Sequence, residues 1–257
     1  LKTLKIPSSI EQIGVGFCCK CTSIEQITIL VAINSINSYS FQNCKSLKKI
    51  EIPSTMTTIK YYAFSQCKSL EKVTIPSSVT DVEEFCFEGC SSLLEVIFPS
   101  SVKKIGNSIF LNCNALEKVE ITDSILIIPV NAFRGCVSLK SFVIPSSVTT
   151  IDGSAFYDCS SLESITIPSS VVVIKNNAFY GCSSLNEISI PSSLKSIILG
   201  IFRKCSSLRK VLIPSSVTSI GTMAFDECKS LEQIEIPSSV TKIDKSAFPS
   251  HTKILNI

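Results

Sequence analysis

Hydrophobic and polar positions repeat along the chain with a period of 23 residues. The clearest column of the repeat is a phenylalanine, at Phe41, Phe64, Phe87, Phe110, Phe133, Phe156, Phe179, Phe202, Phe225 and Phe248. A cysteine column follows three residues later, from Cys21 to Cys228, and a leucine column three residues after that, from Leu47 to Leu231. Because these periods fill nearly all of the 257 residues, the chain is predicted to be a single repeat domain, 1–257.

Each period predicts two short extended segments. The first, as in Leu162 to Ile167, alternates apolar with polar residues and is rich in β-branched side chains, which is typical of a strand. A proline such as Pro168 ends this strand, and a second extended segment such as Val217 to Ile220 follows. The segment from Ala224 to Cys228 has the spacing of one helical turn, so we expect a short helical turn there.

A repeat of this length cannot bury its own apolar face, but stacked repeats merge the apolar columns into one continuous core. We therefore predict an α/β solenoid with twelve parallel first strands on a concave β-sheet, about 53 Å long at ~4.8 Å per strand. Because the strands are narrower than the helical turns on the opposite side of each coil, the stack should curve into a horseshoe. The first strand is expected to start at Leu1, which leaves an open N-terminal coil with an unpaired edge. Further repeats or a second copy would cover that coil, so a homodimer through it is expected.

The repeats resemble a known family. The units Ser-Leu-Glu-Ser-Ile-Thr-Ile-Pro-Ser-Ser-Val (161–171) and Ile-Gly-Thr-Met-Ala-Phe-Asp-Glu-Cys (220–228) resemble the BspA-like, or treponemal-type, leucine-rich repeats. Such repeats occur in bacterial surface proteins and in parasitic protists such as Trichomonas and Entamoeba. The resemblance implies a right-handed leucine-rich-repeat solenoid with its parallel sheet on the concave side. It also implies surface adhesion or binding to host proteins.

The charge distribution and the reactive side chains argue against nucleic-acid binding, membrane insertion and catalysis. The 24 basic and 21 acidic residues are scattered without a basic stripe, so no nucleic-acid partner is expected. The longest apolar stretch, Ile27 to Ile33, is too short for a membrane span, so no membrane insertion of this segment is predicted. His251 is the only histidine, and no pair of carboxylates departs from the period as a tuned acid and base would. We predict no catalytic residues, no cofactor and no enzymatic activity.

The 13 cysteines favour a structural role. Cys18 falls in the phenylalanine column and Cys86 in the alanine column beside it, so both are expected to point inward with the cysteine column. Cys18, Cys19 and Cys21 have no second cysteine pair to complete a metal site, so no metal is predicted. Stacked cysteines lie within disulfide range, but reduced thiols are favoured because a core this long needs no bridges. Reduced thiols and the absence of Asn-x-Ser/Thr acceptors favour a cytoplasmic location, whereas the resemblance implies the cell surface or secretion.

The outward residues of the first strands are the candidate partner-binding surface. Ile97, Val143 and Leu212 stand out there, because exposed apolar side chains on a polar sheet can mark a contact patch. The full candidate set on the concave face is Lys49, Glu51, Lys72, Thr74, Glu95, Ile97, Lys118, Glu120, Val143, Thr166, Glu187, Lys210 and Leu212.

These residues predict a non-enzymatic module that binds a protein partner, and the resemblance implies an adhesin-like role at a cell surface. Two alternatives stay open at this point. One is an intracellular scaffold or regulator that binds cytoskeletal or signalling proteins, and the other is a self-assembling structural repeat protein.

Overall fold

The fold is seen in a computed structural model that describes residues 2–30 and 32–257. The predicted strand start at Leu1 lies outside the described residues. Contacts divide the chain into two compact units, unit 1 (1–125) and unit 2 (126–257), and each is described here by itself. The single domain expected from the period stays a prediction.

Unit 1 is built from two kinds of parallel β-strand that alternate along the chain. Its first strands are β1 (Thr3–Ile6), β2 (Gln26–Ile29), β4 (Lys49–Glu51), β7 (Glu95–Ile97) and β9 (Lys118–Glu120). Its second strands are β3 (Ser35–Ile36), β5 (Thr58–Ile59), β6 (Asp81–Val82) and β8 (Lys104–Ile105). The first strands pair as β1-β2-β4 and β7-β9, and the second strands pair as β3-β5-β6-β8.

Unit 2 repeats the same arrangement. Its first strands are β11 (Ser141–Val143), β13 (Ser164–Thr166), β15 (Glu187–Ser189), β17 (Lys210–Leu212), β19 (Gln233–Ile236) and β21 (Lys253–Asn256). Its second strands are β10 (Ile127–Ile128), β12 (Thr150–Ile151), β14 (Val173–Ile174), β16 (Ser196–Ile197), β18 (Ser219–Ile220) and β20 (Lys242–Ile243). The first strands pair as β11-β13, β15-β17 and β19-β21, and the second strands pair as β10-β12-β14 and β16-β18-β20.

The strand register reproduces the sequence period. Ile27 lies opposite Ile50 in the first strands, and Ile151 lies opposite Ile174 in the second strands. Of the twelve predicted first strands, eleven are formed, and the fourth along the chain is reduced to an isolated bridge between Lys72 and Glu95. The parallel solenoid of 23-residue repeats is therefore confirmed.

The helical turn expected at Ala224–Cys228 is wrong, and with it the α part of the predicted fold class, because no residue that the structure describes lies in a helix. The reason is an alternation of backbone conformation around each phenylalanine. Asn177 and Gly181, two residues before and after Phe179, have left-handed φ angles of 58° and 71°. The amide of Phe179 therefore donates to the Ile201 carbonyl of the next coil, at 2.9 Å. We call the segments around the column phenylalanines, such as 177–181, the turn side. Their backbone bonds form a third hydrogen-bonded ladder between coils, beside the two ladders of the first and second strands.

The phenylalanine column forms a stack of rings in the core of each unit. Neighbouring rings lie nearly parallel, with centroids 5.5 Å apart between Phe179 and Phe202 and 5.7 Å apart between Phe41 and Phe64. These four side chains are fully buried. Burial of large apolar rings and their mutual contact provide the main hydrophobic contribution to stability.

The cysteine column supplies hydrogen-bond donors to this stack. The Sγ of Cys182 donates to the carbonyl oxygen of Phe156 in the preceding coil, at 3.2 Å, and Cys67 donates in the same way to Phe41, at 3.1 Å. Burial raises the pKa of the Cys182 thiol well above its ordinary value, which keeps the sulfur protonated as a donor. The inward orientation expected for the cysteine column is confirmed at these positions.

Cys18 and Cys21 form a disulfide, whereas the sequence favoured reduced thiols throughout. In later coils a phenylalanine precedes the column cysteine by three residues, and the turn brings those two positions close together. With a cysteine in the phenylalanine position, the two Cα atoms are 5.4 Å apart, which is within bonding range. The other 11 cysteines lie outside this disulfide as thiols.

We expect Phe179→Ala to destabilise the protein strongly, because it removes a fully buried ring from the middle of the stack in unit 2. The loss in free energy of unfolding should be about 3–5 kcal/mol, measured by urea denaturation. Phe17→Ala is the matched control, because Phe17 is 44% exposed and lies outside the column. Equal losses for the two variants would contradict a ring stack as the core.

Cys182→Ala should lower the free energy of unfolding by about 1–2 kcal/mol, because it removes both a buried side-chain atom and the donor to Phe156. The same denaturation experiment on Ser184→Ala, a half-buried neighbour, should give a change within about 0.5 kcal/mol. If Cys182→Ala matches the parent protein, the thiol bond does not stabilise the stack.

Candidate functional site

The first-strand face consists of the outward side chains of the first strands. In β11, for example, Phe142 is buried while Ser141 and Val143 are exposed, because successive strand residues point to opposite sides. All the residues predicted as partner-binding lie at such outward positions. Each of them is exposed except Glu95, which is half-buried. Their binding role stays a prediction.

In unit 1 this face carries paired charges. The Nζ of Lys118 lies 3.0 Å from Glu95 and 2.6 Å from Glu120, and Lys49 lies 3.1 Å from Glu51. The hydrogen bonds that Lys118 donates to the carboxylates of Glu120 and Glu95 raise the pKa of Lys118 above its ordinary value. These side chains are largely exposed, so the pairs add little to stability and stay available to a partner.

A groove of about 330 Å³ opens on the first-strand face of unit 1. It brings together four of the predicted residues, Lys72, Thr74, Glu95 and Ile97. At this coil the first strand is reduced to the Lys72–Glu95 bridge, so the sheet is interrupted. The next coil has Phe98 where the other repeats have isoleucine, and its ring packs 6.0 Å from that of Phe110.

A larger groove of about 390 Å³ lies on the first-strand face of unit 2. It brings together Thr166, Glu187, Lys210 and Leu212. The groove spans β13 and β15, which belong to two separately paired sheets. Glu187 and Lys210 lie directly opposite each other in the register, so the groove presents one acidic and one basic side chain above apolar walls.

Val143 is the most exposed large apolar side chain of the described residues, at 82%. It borders a further groove of about 270 Å³ that also includes Thr166. Leu212, at the other end of this part of the face, is 51% exposed. The structure therefore places Val143, Thr166 and Leu212 along one stretch of the first-strand face in unit 2, beside two grooves that share Thr166, although the sequence presented them as separate positions.

Sequence reasoning missed a second exposed apolar surface, on the second strands of unit 2. We call Leu126, Ile127, Val172 and Val173 the second-strand patch; they are 60%, 47%, 56% and 40% exposed. Ile127, Thr150 and Val173 occupy one register position on three neighbouring strands. The sequence does indicate this patch. Most other coils have a polar residue, such as lysine, serine, threonine or aspartate, at the position of Ile127.

An aromatic column follows the turn side of unit 2. The rings of Tyr157 and Tyr180 stack with centroids 4.3 Å apart. The guanidinium of Arg134 lies 4.4 Å from the Tyr157 ring, and that of Arg203 lies 5.9 Å from the Tyr180 ring. Both outer ring faces are therefore covered by side chains of the same chain. Cation–π contacts of this kind stabilise the turn side, so this column is structural.

Within 2–30 and 32–257, no three histidine, cysteine or acidic side chains are grouped so as to hold a metal ion. The same residues include no helix with the length and apolar character of a membrane span. His251 is exposed in the last turn.

Comparison with known proteins relates this geometry to a family. The sequence matches the family described as BspA type leucine-rich repeat region (6 copies) over residues 11–140 and 127–255. A comparison with curated proteins yields no match.

Three solved structures are similar to the chain. A leucine-rich repeat protein from Bacteroides ovatus aligns with a TM-score of 0.71 and 24% identity, covering 99% of this chain and 82% of that one. A leucine-rich cell surface protein from Faecalibacterium prausnitzii aligns at 0.54 and 29%, covering 100% and 87%. A T. pallidum leucine-rich repeat protein aligns at 0.60 and 30%, covering 68% and 82%. The chain belongs to the BspA-type leucine-rich repeat family.

Proposed function

We propose that the chain is a non-enzymatic protein-binding module that recognises a cell-surface or host protein through its first-strand face. The observation that supports this most is the stretch from Val143 to Leu212, where exposed apolar side chains stand on hydrogen-bonded strands beside two grooves. The similar protein from Faecalibacterium prausnitzii is named a cell surface protein, which favours an adhesin-like role.

The strands hold these side chains in place before a partner arrives. A side chain on a paired strand loses less conformational freedom on binding than one on a loop, so more of the contact energy appears as affinity. Val143 and Leu212 would enter apolar pockets of the partner and act as anchors, while Thr166, Glu187 and Lys210 would supply hydrogen bonds and ion pairs. An apolar centre with polar surroundings is typical of protein interfaces.

The charges of the face favour a protein partner over nucleic acid. Lys118 and Lys49 lie beside carboxylates, and Glu187 lies opposite Lys210. Phosphate backbones require cations without neighbouring acids, because each contact releases a counterion. A protein surface with mixed charges would match this arrangement better.

An intracellular scaffold is the second candidate. Ten of the 11 free cysteines are buried as thiols inside the core, and such a core needs no oxidising compartment. Self-assembly through the N-terminal coil also stays a prediction, since its starting residue Leu1 lies outside the described residues.

The double variant Val143→Lys and Leu212→Lys should weaken binding to intact epithelial cells by at least about tenfold, because it places charge on both proposed anchors. Binding of the labelled protein would be measured by flow cytometry over a concentration series. Treatment of the cells with protease should abolish binding of the parent protein, since the partner is proposed to be a protein.

The matched control is Val172→Lys with Val173→Lys. It makes the same change of charge on two exposed valines of the second-strand patch in the same unit. This variant should bind within about twofold of the parent, a difference of less than ~0.5 kcal/mol. Equal losses for the two double variants, or binding that survives protease treatment, would contradict the proposal.

A further inference from the structure

Three of the protein's sulfur atoms lie in one turn of the first coil. We call Cys18, Cys19 and Cys21, in the segment Cys-Cys-Lys-Cys (18–21), the three-cysteine turn. Cys18 and Cys21 are joined by the disulfide, and Cys19 lies between them as a free thiol. Cys18 takes the core position of the phenylalanine column and Cys21 the first position of the cysteine column, so the turn brings three sulfur atoms into one short segment.

Cys19 differs from the other free cysteines in its exposure. It is half-buried, whereas the other ten are buried. It occupies the turn position that Gln42, Tyr157 and Arg203 hold in other coils, and these three side chains are half-buried as well. Its Sγ lies 3.7 Å from the amide oxygen of Gln42, at the surface of the turn.

The two sulfurs of the bridge also differ in exposure. Cys18 is 5% exposed, because it occupies the core position of the phenylalanine column. Cys21 is half-buried and forms the accessible side of the bridge. The buried Cys18 is held by hydrogen bonds: its amide donates to the Ser40 carbonyl at 2.7 Å, and its carbonyl accepts from the Cys44 thiol at 3.2 Å.

The later cysteines of the column, from Cys44 to Cys228, cannot take part in the same chemistry. Its thiols donate to buried carbonyls and have no path to solvent in the folded protein. Burial raises the pKa of Cys228 to about 12, which removes the thiolate that exchange requires. Accessible sulfur chemistry is thus concentrated in the three-cysteine turn.

We propose that the three-cysteine turn is a thiol–disulfide exchange site at which a low-molecular-weight thiol binds covalently and reversibly. A thiolate RS⁻ attacks the Sγ of Cys21 and the bond to Cys18 breaks. Cys18 leaves with the electron pair and takes a proton from water, and the product is the mixed disulfide RS–S–Cys21. No oxidant is consumed, and attack by Cys18 on the mixed disulfide releases RSH and restores the bridge.

The oxidised form of the same ligand reacts at Cys19. The Cys19 thiolate attacks the disulfide RS–SR, forms Cys19–S–SR and releases RS⁻, so atoms and electrons again balance. The reduced form of one thiol–disulfide couple therefore reacts at Cys21 and the oxidised form reacts at Cys19, within the same four-residue segment. The turn would report the redox poise of its surroundings while the core stays unchanged.

The test uses the full chain with glutathione as the probe. The protein is incubated separately with the disulfide and with the reduced thiol, quenched with acid, alkylated and mapped by mass spectrometry. We expect the disulfide to give one adduct, on Cys19, and the reduced thiol to open the bridge with an adduct on Cys21. Cys228 should react at least about 100-fold more slowly than Cys19, because its exposure requires unfolding.

Two variants separate the two reactions. Cys19→Ser should abolish the first adduct and leave the opening of the bridge unchanged, and its outward position makes it safe for folding. Cys18→Ala with Cys21→Ala should abolish the second reaction and keep the first. Two results would overturn the proposal. One is a spread of adducts evenly over the buried cysteines from Cys44 to Cys228, and the other is survival of both the bridge and the Cys19 thiol after treatment.

Discussion

A backbone carbonyl inside an apolar stack must be given a hydrogen-bond donor, and this requirement determines most of the repeat. The Phe156 carbonyl, for example, accepts from the amide of Cys159 within its own coil and from the Cys182 thiol of the next coil. Cysteine suits this position because it is small, largely apolar and still a donor. The Cys159 amide occupies one lone pair of the carbonyl oxygen and the Cys182 thiol satisfies the other, a net contribution of about 0.5–1.5 kcal/mol for such a bond.

The same requirement explains the constancy of the period. The thiol reaches the carbonyl only if each coil has the same length between its phenylalanine and the next cysteine. A residue inserted between the phenylalanine of one coil and the cysteine of the next would move the donors of that coil away from their acceptors on the turn side. The last coil, in which Gln233 lies opposite Lys253, is shorter, and Phe248 is the last phenylalanine of the column. The outward positions of the strands have no such restriction, so they are free to differ between coils and to serve binding.

The sequence predicted the period, the parallel strands and the buried columns, because each follows from one repeated apolar pattern. It could not exclude a helical turn, since Ala-Phe-x-x-Cys has the spacing of a helix. What decides against the helix is left-handed backbone at positions such as Asn177, Ser154 and Tyr62, and only some of these residue types favour that conformation. The Cys18–Cys21 bridge was foreseeable only once that turn was known, because the turn sets the distance between the two cysteines.

The predicted binding residues were found because outward strand positions can be counted from the period. The grooves that bring them together could not be predicted. Two of the three grooves lie where pairing between first strands is interrupted, as between β13 and β15, and a repeated pattern does not indicate where such gaps fall. The third, beside Val143, lies over the paired strands β11 and β13. The second-strand patch was not predicted, because candidate binding residues were derived only from the outward positions of the first strands.

Native-state hydrogen exchange measured by NMR would test the central claim most directly, namely that the turn side is a hydrogen-bonded ladder between coils. The amide of Phe179, which donates to Ile201, should exchange only on global unfolding. It should then show the same free energy of opening as the amide of Ile188, in the middle of β15. Exchange of Phe179 at the rate of a surface loop, with Ile188 still protected, would contradict the account.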